Sequence, residues 1–391
     1  MLNGPFSPWP SFDDEEKNAV LEVLESNQVN YWTGQKGREF EKQFAKYTET
    51  DYAIAVANGT VALDLAWQAL DMPPGSEVIV TSRTFIASIS SIVLAGLTPV
   101  FADIDRDTQN ISVDTIAPHI TEKTCAILCV HLAGWPCEMD DILALAKQHE
   151  FFVVEDCAQA HGAKYKGQSV GSIGDIGAWS FCQDKIMTTG GEGGMVTTNN
   201  KKLWDKMWSF KDHGKSWSAI YEKEHPPGFR WLHESFGTNW RMMEMQSVIG
   251  LKQLEKMPDW TARRTQFSKQ IFATAQQFSA LRVPLVPDYI EHAFYKCYVF
   301  VEPAQLKPGW DRDKIMAAIH VEGVPCFSGS CSEVYKEKAF DDTSYRPSQP
   351  LQNAIELADT SLMFLVHPSL LQTEVDKCCQ ILSGVMQEAS K

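Results

Sequence analysis

Residues 125–156 read CAILCVHLAGWPCEMDDILALAKQHEFFVVED and place a more polar segment between two apolar runs. We predict strands at 125–131 and 151–155 and a helix at 140–149. Continuously apolar runs such as AILCV and FFVV are typical of strands that are covered on both faces of a parallel sheet. A strand, a helix and a second strand in this order predict a right-handed crossover within an α/β sandwich.

The same alternation continues on both sides of this stretch. A strand at 51–57 leads through Asn58-Gly59-Thr60 into a helix at 61–70, and this layout presents backbone N–H groups to an anion. The other predicted elements of this part are strands at 77–81, 98–102, 176–181 and 194–198, and helices at 13–27, 37–48 and 87–95. The pattern predicts an α/β fold with helices on both faces of the sheet.

The pattern changes in the second half of the chain. The segment 212–236 is polar, aromatic and proline-containing, and it is predicted to be a long loop. The elements predicted after it are a Met-rich helix at 240–257, a second helix through about 280, a strand at 293–301, and helices at 312–322 and 351–361. We expect a large domain at 1–259 and a smaller C-terminal α+β domain at 260–391, with the N-terminal helical segment packing on the small domain.

Composition narrows the class of protein. The 391 residues are 44% hydrophobic and 22% charged, which is ordinary for a globular protein. The formal net charge of −15 argues against a nucleic-acid partner, because an acidic surface repels polyanions. The first residues have neither the basic nor the apolar region of a signal peptide, and the apolar runs are too short to span a bilayer. We therefore expect no membrane association.

The ten cysteines suggest a reducing compartment. Cys125, Cys129 and Cys157 lie in apolar, strand-like runs, so we expect them to be buried as small hydrophobic residues. The sequence contains no CxxC pair, and adjacent cysteines have poor spacing for a zinc site. These features predict a cytoplasmic enzyme without a bound metal.

Asp156 follows the strand at 151–155, with Gln159 and His161 close behind it. Ligands of open α/β sheets bind at the carboxyl ends of strands, where an ionised Asp can pair with a protonated ring nitrogen. Taken alone, an Asp at this place is more often a helix N-cap or a solvated loop residue. A His beside a Gly turn, such as His161, is also more often structural.

Lys185 lies five residues after Ser180 and just before the glycine-rich run 188–194. The glycines permit positive φ and close approach of the backbone to a ligand. On its own, a lysine near such a run is usually a solvated surface residue, and the run could be a plain hairpin turn. The segment fits neither the P-loop nor the GxGxxG pattern.

The ordered combination of these residues is far more specific than any one of them. An anion-binding turn, an aromatic residue, an Asp with a nearby Gln, and a Ser with a Lys are the parts needed to hold pyridoxal 5′-phosphate (PLP). The phosphate needs hydrogen-bond donors, the ring needs a flat apolar face, the ring nitrogen needs a carboxylate, and the aldehyde needs a lysine amine. The pattern predicts that Lys185 carries PLP as a Schiff base.

Several segments of the chain match one known family. They are Thr33-Gly34 with Phe40-Glu41, 57–63 (ANGTVAL), 84–88 (TFIAS), 155–162 (EDCAQAHG), 174–177 (GDIG), Ser180-Phe181 with Lys185, 188–194 (TTGGEGG) and 239–242 (NWRM). In this combination the sequence resembles the DegT/DnrJ/EryC1/StrS family of nucleotide-sugar aminotransferases, from about residue 15 to the C-terminus. The resemblance implies fold type I of the PLP enzymes: a three-layer α/β/α large domain with a mostly parallel seven-stranded sheet, and a smaller C-terminal α+β domain.

The resemblance also implies roles for single residues. Lys185 and Asp156 are the catalytic residues it implies, with Lys185 moving a proton and Asp156 pairing with the ring nitrogen. The residues that it assigns to the cofactor, PLP or its amine form PMP, are Gly59, Thr60, Phe85, Asp156, Gln159, Ser180, Lys185 and Asn239. Of these, Asn239 would reach the phosphate bound in the neighbouring subunit of a homodimer.

The substrates follow from the same resemblance. It implies an amino donor, glutamate, and an acceptor that is a keto-sugar attached to a nucleotide. The candidate substrate contacts are Thr33, Gly34, His213, Ser328 and Cys331. The chain departs from the family pattern in two places. The turn after Lys185 has one glycine more than usual, and 325–332 stands where many members carry a Pro-Leu-His-like segment that meets the sugar nucleotide.

Two alternatives stay open at this point. One is a PLP-dependent sugar dehydratase of the same family, in which His stands in place of the lysine, so that Lys185 argues against it. The other is a non-catalytic protein that binds nucleotide sugars on the same fold, because a fold does not guarantee chemistry. A nicotinamide-dependent dehydrogenase is disfavoured because the strand–GxGxxG–helix pattern is missing.

Overall fold

A seven-stranded sheet organises the first half of the chain in a computed structural model that describes residues 5–391. Residues 1–4, which belong to the predicted 1–259 domain and to the segment expected to lack a signal peptide, lie outside the described residues. The strands in chain order are β1 (Tyr52–Val56), β2 (Glu77–Thr81), β3 (Thr98–Ala102), β4 (Thr124–Val130), β5 (Phe152–Asp156), β6 (Lys164–Tyr165), β7 (Gln168–Ser169), β8 (Ile176–Ser180), β9 (Gly194–Thr198), β10 (Leu281–Arg282), β11 (Ile290–Glu291), β12 (Cys297–Val301), β13 (Cys326–Phe327) and β14 (Ser361–Phe364).

The seven strands are arranged in the order β1-β9-β8-β5-β4-β2-β3. Only β9 runs antiparallel to its neighbours, so the predicted mostly parallel sheet is confirmed. The register aligns the carboxyl ends of the central strands, with Val130 opposite Asp156 and Asp156 opposite Ala178. The residues that follow these strands therefore share one edge of the sheet.

Helices cover both faces of this sheet. The helices in chain order are α1 (Asp14–Ser26), α2 (Lys36–Tyr47), α3 (Gly59–Leu70), α4 (Ala87–Leu94), α5 (Val113–Ile116), α6 (Met139–His149), α7 (Lys201–Phe210), α8 (Trp217–Tyr221), α9 (Glu244–Ala275), α10 (Arg312–Val321), α11 (Gln352–Thr360) and α12 (Gln372–Ala389). Side chains of β4 alternate between the two cores: Leu128 packs with α3 and α7, whereas Ile127 packs with α5 and α6. Both cores are apolar, which explains the uninterrupted hydrophobic runs of the sequence.

Capping residues set the ends of two important helices. Asp13 accepts hydrogen bonds from the backbone of Glu15 and Glu16, and the Glu16 side chain accepts in return from the Asp13 backbone. Asn58 Oδ1 accepts from the backbone nitrogen of Val61 at 3.0 Å, so α3 begins at Gly59, two residues earlier than predicted.

Helix α9 is a single helix of 32 residues, and the prediction of two successive helices in this region is wrong. Pro258 lies inside it without ending it. Its first part packs through Val248 against α1, its middle through Met257 and Trp260 against the core beside α2, and its last turns against the smaller sheet. The division predicted at 259/260 falls within this helix and stays a prediction.

A second, antiparallel sheet forms the C-terminal part, in the order β10-β12-β14-β13. The predicted strand at 293–301 is shorter than expected and begins at Cys297, because Ala293 and Tyr295 instead pair their backbones with Gly134 and Ala133. β14 was not predicted. The predicted loop at 212–236 contains the short helix α8.

The N-terminal segment bridges the two sheets. The backbone nitrogen of Ser7 donates to Glu374 Oε1 at 2.6 Å, and Ser369 Oγ donates to the carbonyl of Pro8 at 2.6 Å. Helix α1 packs on α9. Residues 5–9 thus contact the smaller sheet's helices, whereas α1 contacts the helix that connects both sheets.

Two further expectations concern burial. Cys129 and Cys157 are buried as predicted, but Cys125 is half-buried, because it lies near the start of β4. Within residues 5–391, none of the helices combines the length and the apolarity that crossing a membrane requires.

Candidate functional site

A cavity of about 1070 Å³ opens at the carboxyl edge of the seven-stranded sheet. The loops that follow β1, β2, β5 and β8 form one wall, and residues of the smaller sheet and its loops form the other. The predicted site residues that line it are Gly59, Thr60, Phe85, Asp156, Gln159, Ser180, Lys185 and Cys331. Folding therefore gathers in one place residues that lie up to 272 positions apart in the chain.

Asp156 is a buried carboxylate on the floor of this cavity. Its Oδ2 accepts a hydrogen bond from Ser88 Oγ at 2.8 Å, and its Oδ1 accepts from the backbone nitrogen of Ala158 at 3.1 Å. Burial raises the pKa of Asp156, while these two hydrogen bonds and the charge of Lys185 oppose the shift. The carboxylate thus lacks a close cationic partner within the described part of the chain, and a buried carboxylate gains strongly from one.

The neighbouring Glu155 secures the loop behind Asp156. Its Oε1 accepts from the backbones of Ile173 and Gly174 at 2.9 and 2.7 Å, and its Oε2 accepts from Gly171 N at 2.8 Å. His131 Nδ1 accepts from the backbone of Cys137, so its Nε2 carries the proton and donates to Glu155 at 2.9 Å.

Glu155, His131 and Cys157 are the kinds of residues that bind metals, and their ligand atoms lie within 4.8 Å of one another. Both oxygens of Glu155 and both ring nitrogens of His131 already make hydrogen bonds within the protein. The group therefore fixes the 171–174 turn against β5, and we assign it a structural role.

The N-terminus of α3 lies directly against the end of β8. A Cβ atom at Gly59 would lie 2.5 Å from Ser180 Cβ and 2.9 Å from Ser180 Oγ, so no larger residue fits there. A Cβ at Gly194 would likewise meet the carbonyl of Asn58. This close packing places the Ser180 hydroxyl beside the N–H groups of a helix N-terminus, which is a suitable place for a phosphate.

Lys185 is half-buried and is held from two directions. Its carbonyl oxygen accepts a hydrogen bond from Trp9 Nε1 at 2.8 Å, and its amine nitrogen lies 5.2 Å from the centroid of the Tyr295 ring. The Tyr295 hydroxyl donates to the carboxylate of Asp184. Burial opposes the shift, but the charge of Lys185 and this hydrogen bond keep the pKa of Asp184 below its usual range.

Gln159 and Phe85 occupy other walls of the cavity. Gln159 Oε1 accepts from the backbone nitrogen of Ala133 at 2.8 Å, so its amide nitrogen is the group it can offer to a ligand. The Phe85 side chain is 70% exposed although it lines the cavity, and its ring therefore presents an uncovered apolar face.

Five predicted residues do not line this cavity. The Asn239 backbone pairs with that of Asp212, and the His213 nitrogen donates to the carbonyl of Thr238 at 2.9 Å. Thr33 and Gly34 follow Trp32, whose ring lies 4.1 Å from the Lys215 nitrogen, so the 33–34 and 213–215 segments lie near each other. Ser328 is exposed, although its neighbours Phe327 and Gly329 line the cavity.

Several residues of the cavity have no recognisable signal in the sequence. They are Trp9, Asp184, Tyr295, Lys296, Tyr298 and His367. None belongs to a recognisable local motif, and all but Asp184 are brought in by the N-terminal segment or by the smaller sheet. His161, by contrast, is fully buried against Trp179 and Phe181, and burial lowers its pKa to about 3. It is a neutral packing residue.

Comparisons with known proteins agree with this arrangement. A profile of the DegT/DnrJ/EryC1/StrS aminotransferase family matches residues 10–383. The crystal structure of an aminotransferase from Psychrobacter cryohalolentis is 60% identical in sequence and superimposes with a TM-score of 0.97, covering 98% of this chain and 99% of that one. This similarity confirms the fold that the sequence predicted.

Two relatives of known activity are also similar. GDP-perosamine synthase of Escherichia coli O157:H7 is 45% identical over 262 residues, which are 66% of this chain and 68% of that protein. A UDP-N-acetyl-3-dehydro-α-D-glucosamine 3-aminotransferase of Acidithiobacillus ferrooxidans is 31% identical over 381 residues, which are 97% of this chain and 95% of that protein.

Proposed function

This chain belongs to the DegT/DnrJ/EryC1/StrS aminotransferase family, and on that premise we propose that it transfers an amino group from glutamate to a keto-sugar linked to a nucleotide. The observation that carries the proposal is the cavity in which Lys185 and Asp156 face one space at the carboxyl edge of the sheet. The names of the two relatives support a sugar nucleotide as the acceptor. They differ in nucleotide, so the proposal stops at that class of substrate.

Aminotransferases of this family depend on PLP, and the residues of the cavity fit that cofactor. Glycine at position 59 leaves room beside Ser180 at the N-terminus of α3, where a Cβ atom would collide. Asp156 is a buried carboxylate without an ion pair in the described part of the chain, and a protonated ring nitrogen would complete it. Lys185 supplies the amine that an aldehyde requires.

The proposed assignment of the cofactor contacts follows from these positions. Gly59, Thr60 and Ser180 bind the phosphate, Phe85 covers the ring, and Asp156 and Gln159 bind its polar edge. When bound, PLP supplies an electron sink for the carbon that loses its proton.

Side chains of the protein move the proton and position the reacting groups. The Lys185 amine takes the proton from the amino-bearing carbon of the donor and returns a proton during the second half of the reaction. The rings of Phe85 and Tyr295 contribute apolar surface to the cavity, and a bound substrate that covers this surface would keep water away from the transfer. The hydrogen bond from Trp9 to the backbone carbonyl of Lys185 positions the main chain from which the lysine side chain extends.

A second copy of the chain completes the proposed site. Asn239 lies outside the cavity of its own chain, and a homodimer that brings it to the neighbouring cavity would add a donor for the phosphate. Thr33, Gly34 and His213 lie outside the cavity as well, so we assign them to the same face. Ser328 and Cys331 remain proposed substrate contacts of the chain's own cavity rim.

The test is spectroscopic. The purified protein is mixed with PLP, and its absorption spectrum is compared with those of Lys185→Ala and of Lys166→Ala, a surface control far from the cavity. We expect the Lys185 variant alone to lose the visible band of the lysine-bound cofactor. An unchanged band in that variant would contradict the assignment.

Product analysis separates the proposal from its two alternatives. Formation of 2-oxoglutarate from glutamate, together with an amino sugar, is expected of the aminotransferase. A dehydratase would release a deoxygenated sugar, and a binding protein would form neither product. The lysine at position 185 and the aminotransferases among the relatives favour the first outcome.

A further inference from the structure

Lys296 is a second lysine in the cavity lining, and it lies outside the set of proposed PLP contacts. Its backbone position is firmly set: the Tyr295 nitrogen donates to the carbonyl of Ala133 at 2.9 Å, and Arg264 Nη1 donates to the carbonyl of Tyr295 at 3.3 Å. The nitrogen of the same Ala133 donates to Gln159. Lys296 is thereby tied to the wall that carries a proposed cofactor contact.

The lining of the cavity contains two Lys or Arg side chains among the described residues, Lys185 and Lys296. Lys296 is half-buried because it faces the cavity, and it forms no salt bridge within residues 5–391. The nearby carboxylate of Asp184 already accepts the hydroxyl of Tyr295 and lies next to Lys185 in the chain. The lining also carries the carboxylates of Asp156, Glu192 and Glu337, so an anionic ligand that enters this acidic cavity has Lys185 and Lys296 as its cationic partners among the described residues.

Burial and nearby charges both shift the pKa of Lys296. Burial lowers the pKa of Lys296 to about 8; the carboxylate of Asp184 opposes this shift, whereas the charges of Arg264 and Lys185 add to it. A cation held away from bulk water costs free energy unless anions compensate it, and Asp184 offsets the effect of burial only in part. Such groups cluster at functional sites, where a ligand supplies the missing charge.

We propose that Lys296 binds anionic oxygens of a substrate inside the cavity, either a carboxylate of the amino donor or a phosphate of the nucleotide, an inference that rests on the proposed function. Both substrates of that reaction are anions, and the chain as a whole carries a net charge of −15. An acidic protein needs a local cation to attract them, and the amine nitrogens of Lys296 and Lys185 lie 4.7 and 5.2 Å from the centroid of the same Tyr295 ring.

The experiment measures binding to the PLP-loaded enzyme with two kinds of unreactive probe. Glutarate has the two carboxylates of glutamate but no amino group, and GDP and UDP carry the nucleotide phosphates without the sugar. Calorimetric dissociation constants are compared for the wild type, Lys296→Met, Lys296→Arg and the surface control Lys166→Met. In Lys296→Met, loss of a charge-assisted hydrogen bond is expected to raise the dissociation constant of one probe by roughly 10- to 100-fold. Lys296→Arg should recover part of the lost affinity.

The two arms distinguish the source of the anion. Weaker binding of glutarate alone assigns Lys296 to the amino donor, and weaker binding of GDP or UDP alone assigns it to the nucleotide. Dissociation constants of Lys296→Met within about twofold of the wild type for all probes would overturn the proposal. Lys166→Met should match the wild type throughout.

A second readout needs no variant. An amine-acylating reagent is applied to the wild-type holoenzyme with and without each probe, and modification of Lys296 is quantified by mass spectrometry. Protection by glutarate or by a nucleotide supports the proposal, and equal modification with every probe contradicts it. Failure here would leave the Lys185 absorption band and the formation of 2-oxoglutarate intact, so that it is distinguishable from failure of the proposed function.

Discussion

The indole nitrogen of Trp9 donates a hydrogen bond to the backbone carbonyl of Lys185, 2.8 Å away, although 176 positions of sequence separate the two residues. The same indole lies edge-on to the Trp260 ring and stacks on the His367 ring, with distances between ring centroids of 5.1 and 5.9 Å. The N-terminal segment is thus part of the cavity wall behind Lys185. Its contacts join that lysine to α9 and to the smaller sheet.

We predict that Trp9→Phe lowers the stability of the holoenzyme by about 1–3 kcal/mol, because the carbonyl of Lys185 loses its donor while an aromatic ring is kept. Urea unfolding of the PLP-loaded protein measures the change, and the rate of cofactor release should rise with it. Trp231→Phe is the matched control, since Trp231 is 83% exposed. Equal stability of the two variants would refute the role given to Trp9.

Gly59→Ala is expected to reduce PLP affinity by at least roughly 10-fold, because its Cβ would lie 2.5 Å from Ser180 Cβ and push apart the two segments that we propose to bind the phosphate. Titration of the apoprotein with PLP, followed by absorbance, measures the dissociation constant. Gly384→Ala in α12 has open space around the new Cβ and should instead stabilise the protein by about 0.5–1 kcal/mol. PLP affinity should be unchanged in this control.

Asp156→Asn should change the free energy of unfolding in opposite directions in the apoprotein and in the PLP-loaded protein. Burial raises the pKa of Asp156 in the folded chain, so the folded apoprotein binds a proton at this carboxyl more tightly than the unfolded chain does. The stability that this proton contributes is present below the unfolded-state pKa, near about 3.9, and is lost as pH rises through the raised folded-state value. The Asn variant does not lose it.

The measurement is the difference in unfolding free energy between Asp156→Asn and wild type as a function of pH. In the apoprotein this difference should shift in favour of the variant as pH rises through that window, then stay constant. With PLP bound, the variant should be the less stable protein at neutral pH, since its ring partner is uncharged. The exposed Asp114→Asn should show neither trend.

Glu155→Gln is predicted to destabilise the protein by about 3 kcal/mol or more, because an amide NH₂ would face backbone donors that now point at a carboxylate. Chemical denaturation provides the value, and Glu122→Gln at an exposed position should stay within about 0.5 kcal/mol of the wild type. A small effect at Glu155 would mean that the 171–174 turn does not depend on this carboxylate.

The first half of the fold could be predicted because its signals are local. The bounds of β2, β3 and β9 agree with the predicted 77–81, 98–102 and 194–198. Strands buried on both faces produce unbroken apolar runs, and the helices between them are recognised as more polar segments. The two-residue strands and β14 carry no such signal, because their pairing is decided by contacts with distant segments.

The candidate site was predictable to the same extent. Asp156 and Ser180 are the last residues of β5 and β8, Gly59 lies in the turn after β1, and the edge of a mostly parallel sheet brings such positions together. Trp9 and Lys296 reach the cavity only through packing of the N-terminal segment and the smaller sheet. The Asn239 backbone pairs with that of Asp212 outside the cavity, so the contact proposed for Asn239 requires a second subunit.

Helix α9 connects the two halves of the molecule. Its 32 residues extend over about 48 Å and pass from the core beside α2 to the smaller sheet without a break. The polypeptide thus passes from one half of the molecule to the other within one continuous helix. We therefore expect the two halves to keep one relative position, so that discrimination between substrates depends on the side chains that line the cavity between them.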